Sequence, residues 1–398
     1  MSEKNLNLYI EINNSSIIFF AEETCTQNNS KIKYKLDDPT TRFERNKISN
    51  FDEIFSTIKK NIYLLEQNLK CTFKEVVLIL DNFDISFITL SGYKRLNGSQ
   101  ILRENITYIL NTLKFYVDKN EEKKTILHIF NSRFSLDNKI IINPPIGLFG
   151  DFYSHELSFS LINRNDFKNL QNVFEKCNLR IKKILLKSYL KGVFISDKNL
   201  GLDTFFLIEV ELNHSKIFYF ENDCLKFEQS FKFGYDIILK DISKITLFKR
   251  EIVEEILNEI ELKNTISDEE FVEKKFFQDN NFGKIKKKLI FDIAEARINE
   301  ILDLMLFKNI NLNYYNKLPK SLFFELKSTY SYQSIKDIFK NILKQKDILD
   351  GRHLGEISHE NILQTASKLV HFGWKKEAIP FTKTKKSLIA RFFSLIFE

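Results

Sequence analysis

The sequence is poor in cysteine, glycine and proline, and it has no long apolar run. Its 398 residues include 4 cysteines, 11 glycines and 5 prolines. The cysteines are widely scattered without CxxC spacing, which excludes a disulfide framework and predicts buried, reduced thiols in a cytoplasmic protein. No run of about eighteen apolar residues exists, which excludes a membrane-spanning helix. The N-terminus begins polar and mixed in charge, unlike a signal peptide, so any membrane contact is expected to be peripheral.

Charge and histidine usage exclude further classes of function. Lys and Arg total 60 against 53 Asp and Glu, a net charge of +7. The bias toward Ile, Asn, Lys and Phe is typical of an AT-rich genome, and no Arg-rich arm or zinc knuckle supports a nucleic-acid partner. No Ser/His/Asp or Cys/His constellation is present, so neither a catalytic residue nor a metal ligand is predicted. The six histidines lie far apart in sequence: His128, His155, His214, His353, His359 and His371.

A strand–turn–strand pattern occurs twice along the chain. Leu8–Ile12 and Ile17–Ala21 flank a polar turn, and Thr204–Glu211 and Lys216–Phe220 repeat the arrangement. Helical and strand-like segments follow each pair. The pattern predicts two α/β units, each opened by a β-hairpin and each carrying an inserted segment. Such a duplication suits the actin-like ATPase architecture, in which two lobes close over a nucleotide.

The last fourteen residues, Lys385–Glu398, form an amphipathic pattern at helical spacing. Leaving this apolar face in water costs roughly 1.5–3 kcal/mol for each large side chain, so it must be buried. The protein core, a partner's groove and the lipid headgroup boundary are all candidate burial sites, and the preceding basic residues favour anionic lipid. The predicted membrane-binding residues are Lys385, Lys386, Leu388, Ile389, Arg391, Phe392, Phe393, Leu395, Ile396 and Phe397.

Several stretches resemble the bacterial cell-division FtsA family. The block Ile126–Gly192 contains Pro145-Ile146-Gly147-Leu148-Phe149-Gly150, which is similar to the family's Pro-x-Gly-[ML]-x-Gly turn. Ile293–Leu302 is similar to a helix with a Glu-x-Arg-x-x-Glu pattern, and Gln364–Gly373 to the segment before the C-terminal linker. The resemblance covers nearly the whole chain in order.

The resemblance implies a two-lobed actin-like ATPase fold with an SHS2-type domain inserted in the first lobe and a C-terminal amphipathic helix. The implied divisions are a first lobe of 1–85 and 163–200, an SHS2-type insertion of 86–162, a second lobe of 201–243 and 305–374, an FtsZ-docking insertion of 244–304, a linker of 375–384 and a membrane-targeting helix of 385–398.

The resemblance also implies a function. Proteins of the family anchor the FtsZ ring at the cytoplasmic face of the inner membrane and help to assemble the divisome. The implied partners are the acidic, apolar FtsZ C-terminal tail, anionic lipids, other divisome proteins and further copies of this chain. Arg297, Lys286 and Lys287 are the residues predicted to dock the tail, although a solvated basic helix face explains the lysines equally well. The alternatives are a PilM-like pilus-assembly platform and an actin-like ATPase with working turnover.

The phosphate-binding turns of the family are altered here. Actin-like ATPases cradle phosphates with Gly-rich turns, because glycine lets backbone N–H groups approach the ligand closely. The first turn maps onto Asn13, Asn14, Ser15 and Ser16, and the second onto Asn213, His214 and Ser215 after Glu211. The glycines are lost, also in the adenosine-contacting region near Glu325–Ser331, and Glu211 would repel phosphate. The sequence predicts a degenerate site without enzymatic turnover, and leaves ATP and Mg²⁺ binding open.

Overall fold

A computed structural model of the protein describes residues 6–13, 16–25, 29–39, 43–44, 47–48, 50–260, 266–267, 269–277, 284–315, 321–328, 332–346 and 350–378. The chain packs as two compact units. The first unit comprises the residues up to Leu186 and those from Ser367 onward. The second unit comprises Lys187–Ala366.

The first unit is built on a mixed five-stranded sheet. Its strand order is β11-β6-β1-β2-β3, in which β1 is antiparallel to β2 and parallel to β6. Its elements are β1 (Leu6–Ile12), β2 (Ser16–Cys25), β3 (Asn29–Pro39), β4 (Phe43–Glu44), β5 (Lys47–Ile48), α1 (Phe51–Leu69), β6 (Glu75–Leu80), β7 (Ile85–Arg95), α2 (Arg103–Asn120), β8 (Lys124–Leu136), β9 (Lys139–Ile141), β10 (Phe152–Asn163), α3 (Arg164–Lys176) and β11 (Arg180–Leu186).

Between β6 and α3 the chain forms an inserted domain with its own sheet and core. Strands β7, β10, β8 and β9 lie in that order and are antiparallel, and α2 packs on them. The core of the inserted domain includes Ile109, Leu113, Tyr153 and Phe159. That this insertion is of the SHS2 type stays a prediction.

The second unit repeats the sheet of the first. The order β14-β13-β12-β15-β16 again has two antiparallel pairs on one side of the opening strand and two parallel pairs on the other. The predicted duplication is therefore confirmed. Its elements are α4 (Lys187–Lys198), β12 (Phe205–Val210), β13 (Ser215–Glu221), β14 (Cys224–Phe231), α5 (Asp236–Thr246), α6 (Arg250–Glu259), α7 (Lys287–Leu302), β15 (Ser321–Leu326), α8 (Gln333–Gln345), β16 (Asp350–His353) and α9 (His359–Phe372), whose last turns belong to the first unit.

Helices α5–α8 share one core with the second sheet. Ile256 of α6 and Ile298 of α7 belong to the same buried cluster as Phe206 of β12 and Leu322 of β15. Buried strands such as β12 and β15 read as continuous apolar runs because both of their faces are covered. The segment predicted as a separate docking insertion, 244–304, therefore packs onto the lobe that carries it.

Three boundaries differ from the sequence-based division. Helix α4, predicted in the first lobe, lies in the second unit. Gly192 of this helix packs so closely on Phe220 that a Cβ added at Gly192 would lie 2.0 Å from the ring of Phe220. Residues from Ser367 onward, predicted in the second lobe up to 374, lie in the first unit. Residues 376–378, predicted as linker, pair with β8 of the inserted domain.

Within the described part of the chain, no helix is both long and apolar enough to cross a membrane. The predicted amphipathic helix, 385–398, and its membrane-binding residues lie outside the described residues.

Candidate functional site

The first candidate turn is closed by its own side chains. Asn13 lies just past the end of β1 and Ser16 begins β2. The amide N–H of Ser16 donates to Asn13 Oδ1 over 2.7 Å, and Asn13 Nδ2 donates to Ser16 Oγ over 3.2 Å. The backbone N–H of Asn13 also donates to the carbonyl of Ser16. The structure thus brings these two predicted residues together, while Asn14 and Ser15 lie outside the described residues.

The second candidate turn is held by backbone hydrogen bonds. Asn213 and His214 are exposed, whereas Ser215 is fully buried and donates its hydroxyl to the carbonyl of Phe233 over 2.8 Å. The amide of Asp236, the first residue of α5, donates to the carbonyl of Leu212 over 2.9 Å. Ser215 is therefore a structural hydroxyl of this turn.

Gly234 explains how α5 comes so close to the turn. The amide of Tyr235 donates to the carbonyl of Glu211 over 3.0 Å, just before the helix begins. A Cβ at Gly234 would lie 2.0 Å from the same carbonyl oxygen. Glycine is required here, since any other residue would push the helix away from the turn.

Beside the second turn lies an ion cluster that joins three elements, α4, β12 and β15. The Lys191 ammonium of α4 contacts Glu209 of β12 and lies 3.0 Å from Glu325 of β15. Lys327, which follows β15, lies 3.0 Å from Glu209 and 2.6 Å from Glu211. We call these five residues the Lys191 cluster.

Burial and charge act in opposite directions on the two deepest carboxyls. Burial by itself raises the pKa of Glu209, but the ammonium groups of Lys191 and Lys327 outweigh it and hold that pKa below its ordinary value. Burial raises the pKa of Glu325, and Lys191 offsets this only in part because the charge on Glu209 raises the pKa again. The charged form is therefore favoured at Glu209 and disfavoured at Glu325.

Strand register places these side chains together. Glu209 and Glu325 are direct partners in the parallel pair of β12 and β15. Residues two apart on a strand share a face, which brings Glu211 and Lys327 to the same side. Open α/β sheets bind ligands beyond the carboxyl ends of their strands, and the cluster occupies that position in the second sheet.

The carboxylate of Glu211 was predicted from the sequence, whereas the cation that pairs with it, Lys327, was not. The signal available in the sequence was a pair of charged residues separated by one apolar residue at the end of each of two apolar runs. These are Glu209-Val210-Glu211 and Glu325-Leu326-Lys327. The repulsion of phosphate expected from Glu211 is correspondingly weakened, because Lys327 lies against it.

The predicted FtsZ-docking residues lie along α7. Lys286 caps the helix and is exposed, and Lys287 begins it and lies 4.0 Å from Glu270. Arg297 lies ten residues beyond Lys287, roughly 15 Å along the helix, and its guanidinium pairs with Asp241 of α5 and Glu300. Arg297 is thus already engaged within the protein, and the lysines are not its neighbours.

Two histidines in the first unit have packing roles. His128 is buried, with Nδ1 3.8 Å from a carboxylate oxygen of Glu377, and burial lowers its pKa. His155 Nε2 lies 3.0 Å from the Asn131 side-chain oxygen, and burial lowers its pKa to about 4. In the described ranges, no group of three or more His, Cys, Asp or Glu side chains is arranged to hold a metal ion.

The repeated sheets define a protein of actin-like fold. A solved structure of the PilM–PilN type IV pilus biogenesis complex aligns with a TM-score of 0.51 over 92% of this chain and 95% of that chain, at 9% identity, which shows the fold alone. No family profile matches the chain.

Curated sequences give the more particular relationship. Cell division protein FtsA of Buchnera aphidicola subsp. Schizaphis graminum (strain Sg) is 22% identical over 309 residues, which is 76% of this chain and 72% of that protein. Cell division protein FtsA of Buchnera aphidicola subsp. Acyrthosiphon pisum (strain APS) is 22% identical over 308 residues, with the same coverage. The chain is therefore a distant relative of the FtsA proteins, as the sequence motifs predicted.

The opposite pKa directions in the Lys191 cluster predict unequal effects of two matched substitutions. Glu209→Gln removes the ionised partner of a buried ammonium and should cost about 3 kcal/mol or more of unfolding free energy. Glu325→Gln should cost less than about 1 kcal/mol, because it replaces a carboxyl whose neutral form is already favoured by burial. Urea unfolding followed by circular dichroism measures both, and equal losses would contradict the assignment.

The pH dependence of the two variants should also differ. The depressed pKa of Glu209 gives stability that is present above the unfolded carboxyl pKa and is lost as pH falls through the folded pKa. The raised pKa of Glu325 has the opposite effect. Its contribution to stability is present below the unfolded carboxyl pKa and is lost as pH rises through the folded pKa. Relative to wild type, Glu325→Gln should therefore become more favourable as pH rises, and Glu209→Gln less favourable.

Proposed function

We propose that the protein is a cell-division adaptor that joins the FtsZ ring to the cytoplasmic face of the inner membrane. The observation that carries the proposal is the similarity to proteins named cell division protein FtsA, which extends over 76% of this chain. The amphipathic C-terminal residues 385–398 supply a membrane anchor of the kind that lies in the headgroup region. Self-association would multiply such weak anchors into firm attachment.

In this proposal the protein works by binding and not by turnover. The polar groups of the described turn residues do not fit a nucleotide well. Asn13 and Ser16 bond to each other, the Ser215 hydroxyl is donated to a carbonyl, and no glycine stands in either turn. The ammonium of Lys327 is held by Glu209 and Glu211, so the cluster already balances its own charge. No step of the function is therefore assigned to ATP.

The start of α7 supports an acidic docking partner. Its first turn carries Lys287 and Lys288 and no acidic residue, next to the exposed Lys286. Cations at a helix N-terminus are disfavoured by the helix dipole, and an acidic peptide would relieve this repulsion. An FtsZ tail of acidic and apolar character has that chemistry. Because Arg297 is paired with Asp241, its part in docking requires exchange of that partner.

The pilus-platform alternative rests on the fold alone. The PilM–PilN structure aligns at 9% identity, against 22% for the FtsA sequences. The amphipathic tail is the second feature in favour of the adaptor.

The first test is direct nucleotide binding. Isothermal titration of the purified chain with ATP and Mg²⁺ should show no saturable binding with a Kd below about 1 mM, which corresponds to about 4 kcal/mol of binding free energy. The reason is that Asn13 and Ser16 bond to each other and the Ser215 hydroxyl is already donated to a carbonyl. Ser16→Ala should leave this result unchanged. Micromolar binding that disappears in Ser16→Ala would contradict the proposed degenerate site and favour a working actin-like ATPase.

The second test removes the tail. A chain ending at Thr384 should lose co-sedimentation with vesicles containing anionic lipid, since the apolar residues that would enter the headgroup region are gone. In the full chain, Phe392→Glu should weaken partition at least tenfold, whereas Ser394→Ala on the polar side serves as the matched control. A truncated chain that sediments as well as the full one would remove the membrane role of this segment.

The third test separates docking from packing at Arg297. Both Arg297→Gln and Asp241→Asn break the same ion pair, so both should lower stability similarly, by at most about 1 kcal/mol for a partly exposed pair. Only Arg297→Gln should weaken binding of an FtsZ C-terminal peptide, while Asp241→Asn leaves the guanidinium paired with Glu300 alone and should keep or strengthen it. Parallel loss of affinity in both variants would assign Arg297 a structural role.

A further inference from the structure

The last described residues, Trp374–Ala378, are docked on the inserted domain as an added strand, which we call the strap. The amide of Asn131 donates to the carbonyl of Lys376 over 2.7 Å, and the amide of Ala378 donates to the carbonyl of Ile129 over 2.8 Å. Phe130 and Glu377 are the antiparallel partners between these two bonds. Strand β9 pairs with β8 only from Phe134 onward, so the strap lies on a stretch of edge that β9 does not cover.

The strap is held by side chains as well as by its backbone. Ala378 is 6% exposed and belongs to the core of the inserted domain, together with Phe159 and Leu161. The Glu377 carboxylate lies 2.8 Å from the Lys183 ammonium of β11 and 3.8 Å from His128 Nδ1. A buried alanine and a largely buried ion pair are not expected of a loose linker, whose residues are normally solvated.

We propose that the strap anchors the C-terminal tail to the inserted domain, so that tail binding to lipid brings this domain to the membrane surface. This inference rests on the proposed lipid contact of residues 385–398. The docking of the strap on β8 is a separate feature, and it does not depend on lipid.

The strap sets how far the tail can reach. With Ala378 docked, only the six residues 379–384 separate the inserted domain from the amphipathic segment, which span at most about 25 Å when extended. If the strap is released back to Gly373, the eleven residues 374–384 become available, and the reach rises to about 40 Å. The docked strap thus keeps the inserted domain close to the lipid, and release nearly doubles the permitted distance.

The strap has a defined direction on the inserted domain. The strap is antiparallel to β8, because Lys376 pairs with Asn131 and Ala378 with Ile129. It therefore runs toward the beginning of β8 and away from the turn 145–150, which lies at the opposite end of the inserted domain, where Leu148 bonds to Ile101.

The test uses the single tryptophan of the chain, which lies in the strap. Lys183→Met removes the cation that holds Glu377, and Lys182→Met, one residue away, is the matched control because Lys182 approaches Glu75 instead. In Lys183→Met, hydrogen exchange of the Asn131 and Ala378 amides should speed up about tenfold, as expected for loss of a charge-assisted hydrogen bond. The fluorescence anisotropy of Trp374 should fall in parallel. Glu377→Gln should give the same result from the other partner.

Vesicles with anionic lipid and a dansyl-labelled lipid separate this inference from the adaptor function. The full chain and Lys183→Met should co-sediment equally. In a Trp374→Phe background in which the exposed Tyr116 of α2 is replaced by Trp, energy transfer from the inserted domain to the labelled lipid should decrease in Lys183→Met, since the tether lengthens. Unchanged amide exchange and anisotropy in both Lys183→Met and Glu377→Gln would overturn the anchor, even if the vesicles still bind the protein. Failure of the full chain to bind vesicles would instead overturn the lipid contact, with the exchange data still reporting on the strap.

Discussion

The buried charge of Lys191 is the constraint on which the second unit depends. An ammonium group removed from water is costly unless carboxylates surround it, and here Glu209 and Glu325 reach it from adjacent strands. Those carboxylates lie side by side only if β12 and β15 are parallel and in register. The Lys191–Glu209 ion pair and the hydrogen bond from Lys191 to Glu325 therefore tie helix α4 to the centre of the sheet, and this explains why α4 packs with the second unit although the resemblance assigned it to the first lobe.

The two sheets share one topology but close their equivalent turns by different chemistry. The first turn uses neutral groups, with Asn13 and Ser16 bonded to each other. The second uses backbone N–H groups from the start of α5, above the Lys191 cluster. The hydrogen bonds given by Asn13, Ser16 and Ser215 are all made within their own unit.

Much of the fold could be predicted because its signals are local. The predicted strands of the two hairpins, Leu8–Ile12, Ile17–Ala21, Thr204–Glu211 and Lys216–Phe220, correspond to β1, β2, β12 and β13, since each is a short run of apolar residues next to a polar turn. Strand β16, by contrast, reads Asp-Gly-Arg-His and was missed, because only its parallel pairing with β15 makes it a strand. The same limit applies to the site. Glu211 could be identified from the sequence, but its neutralisation by Lys327, 116 positions away, depends on strand register.

The boundary of the predicted linker shows how tertiary contacts override composition. Trp374-Lys375-Lys376-Glu377-Ala378 is mostly polar and reads as a connector, yet an exposed stretch of β8 offers unpaired backbone groups that a short strand can satisfy. Lys183 and His128 supply a charged and an aromatic partner for Glu377, and the pKa of Glu377 falls to about 2 because their combined effect exceeds the opposing effect of burial. A segment that only connects would not need such partners. Burial of this carboxylate against Lys183 and His128 holds the chain at a defined point on the first unit.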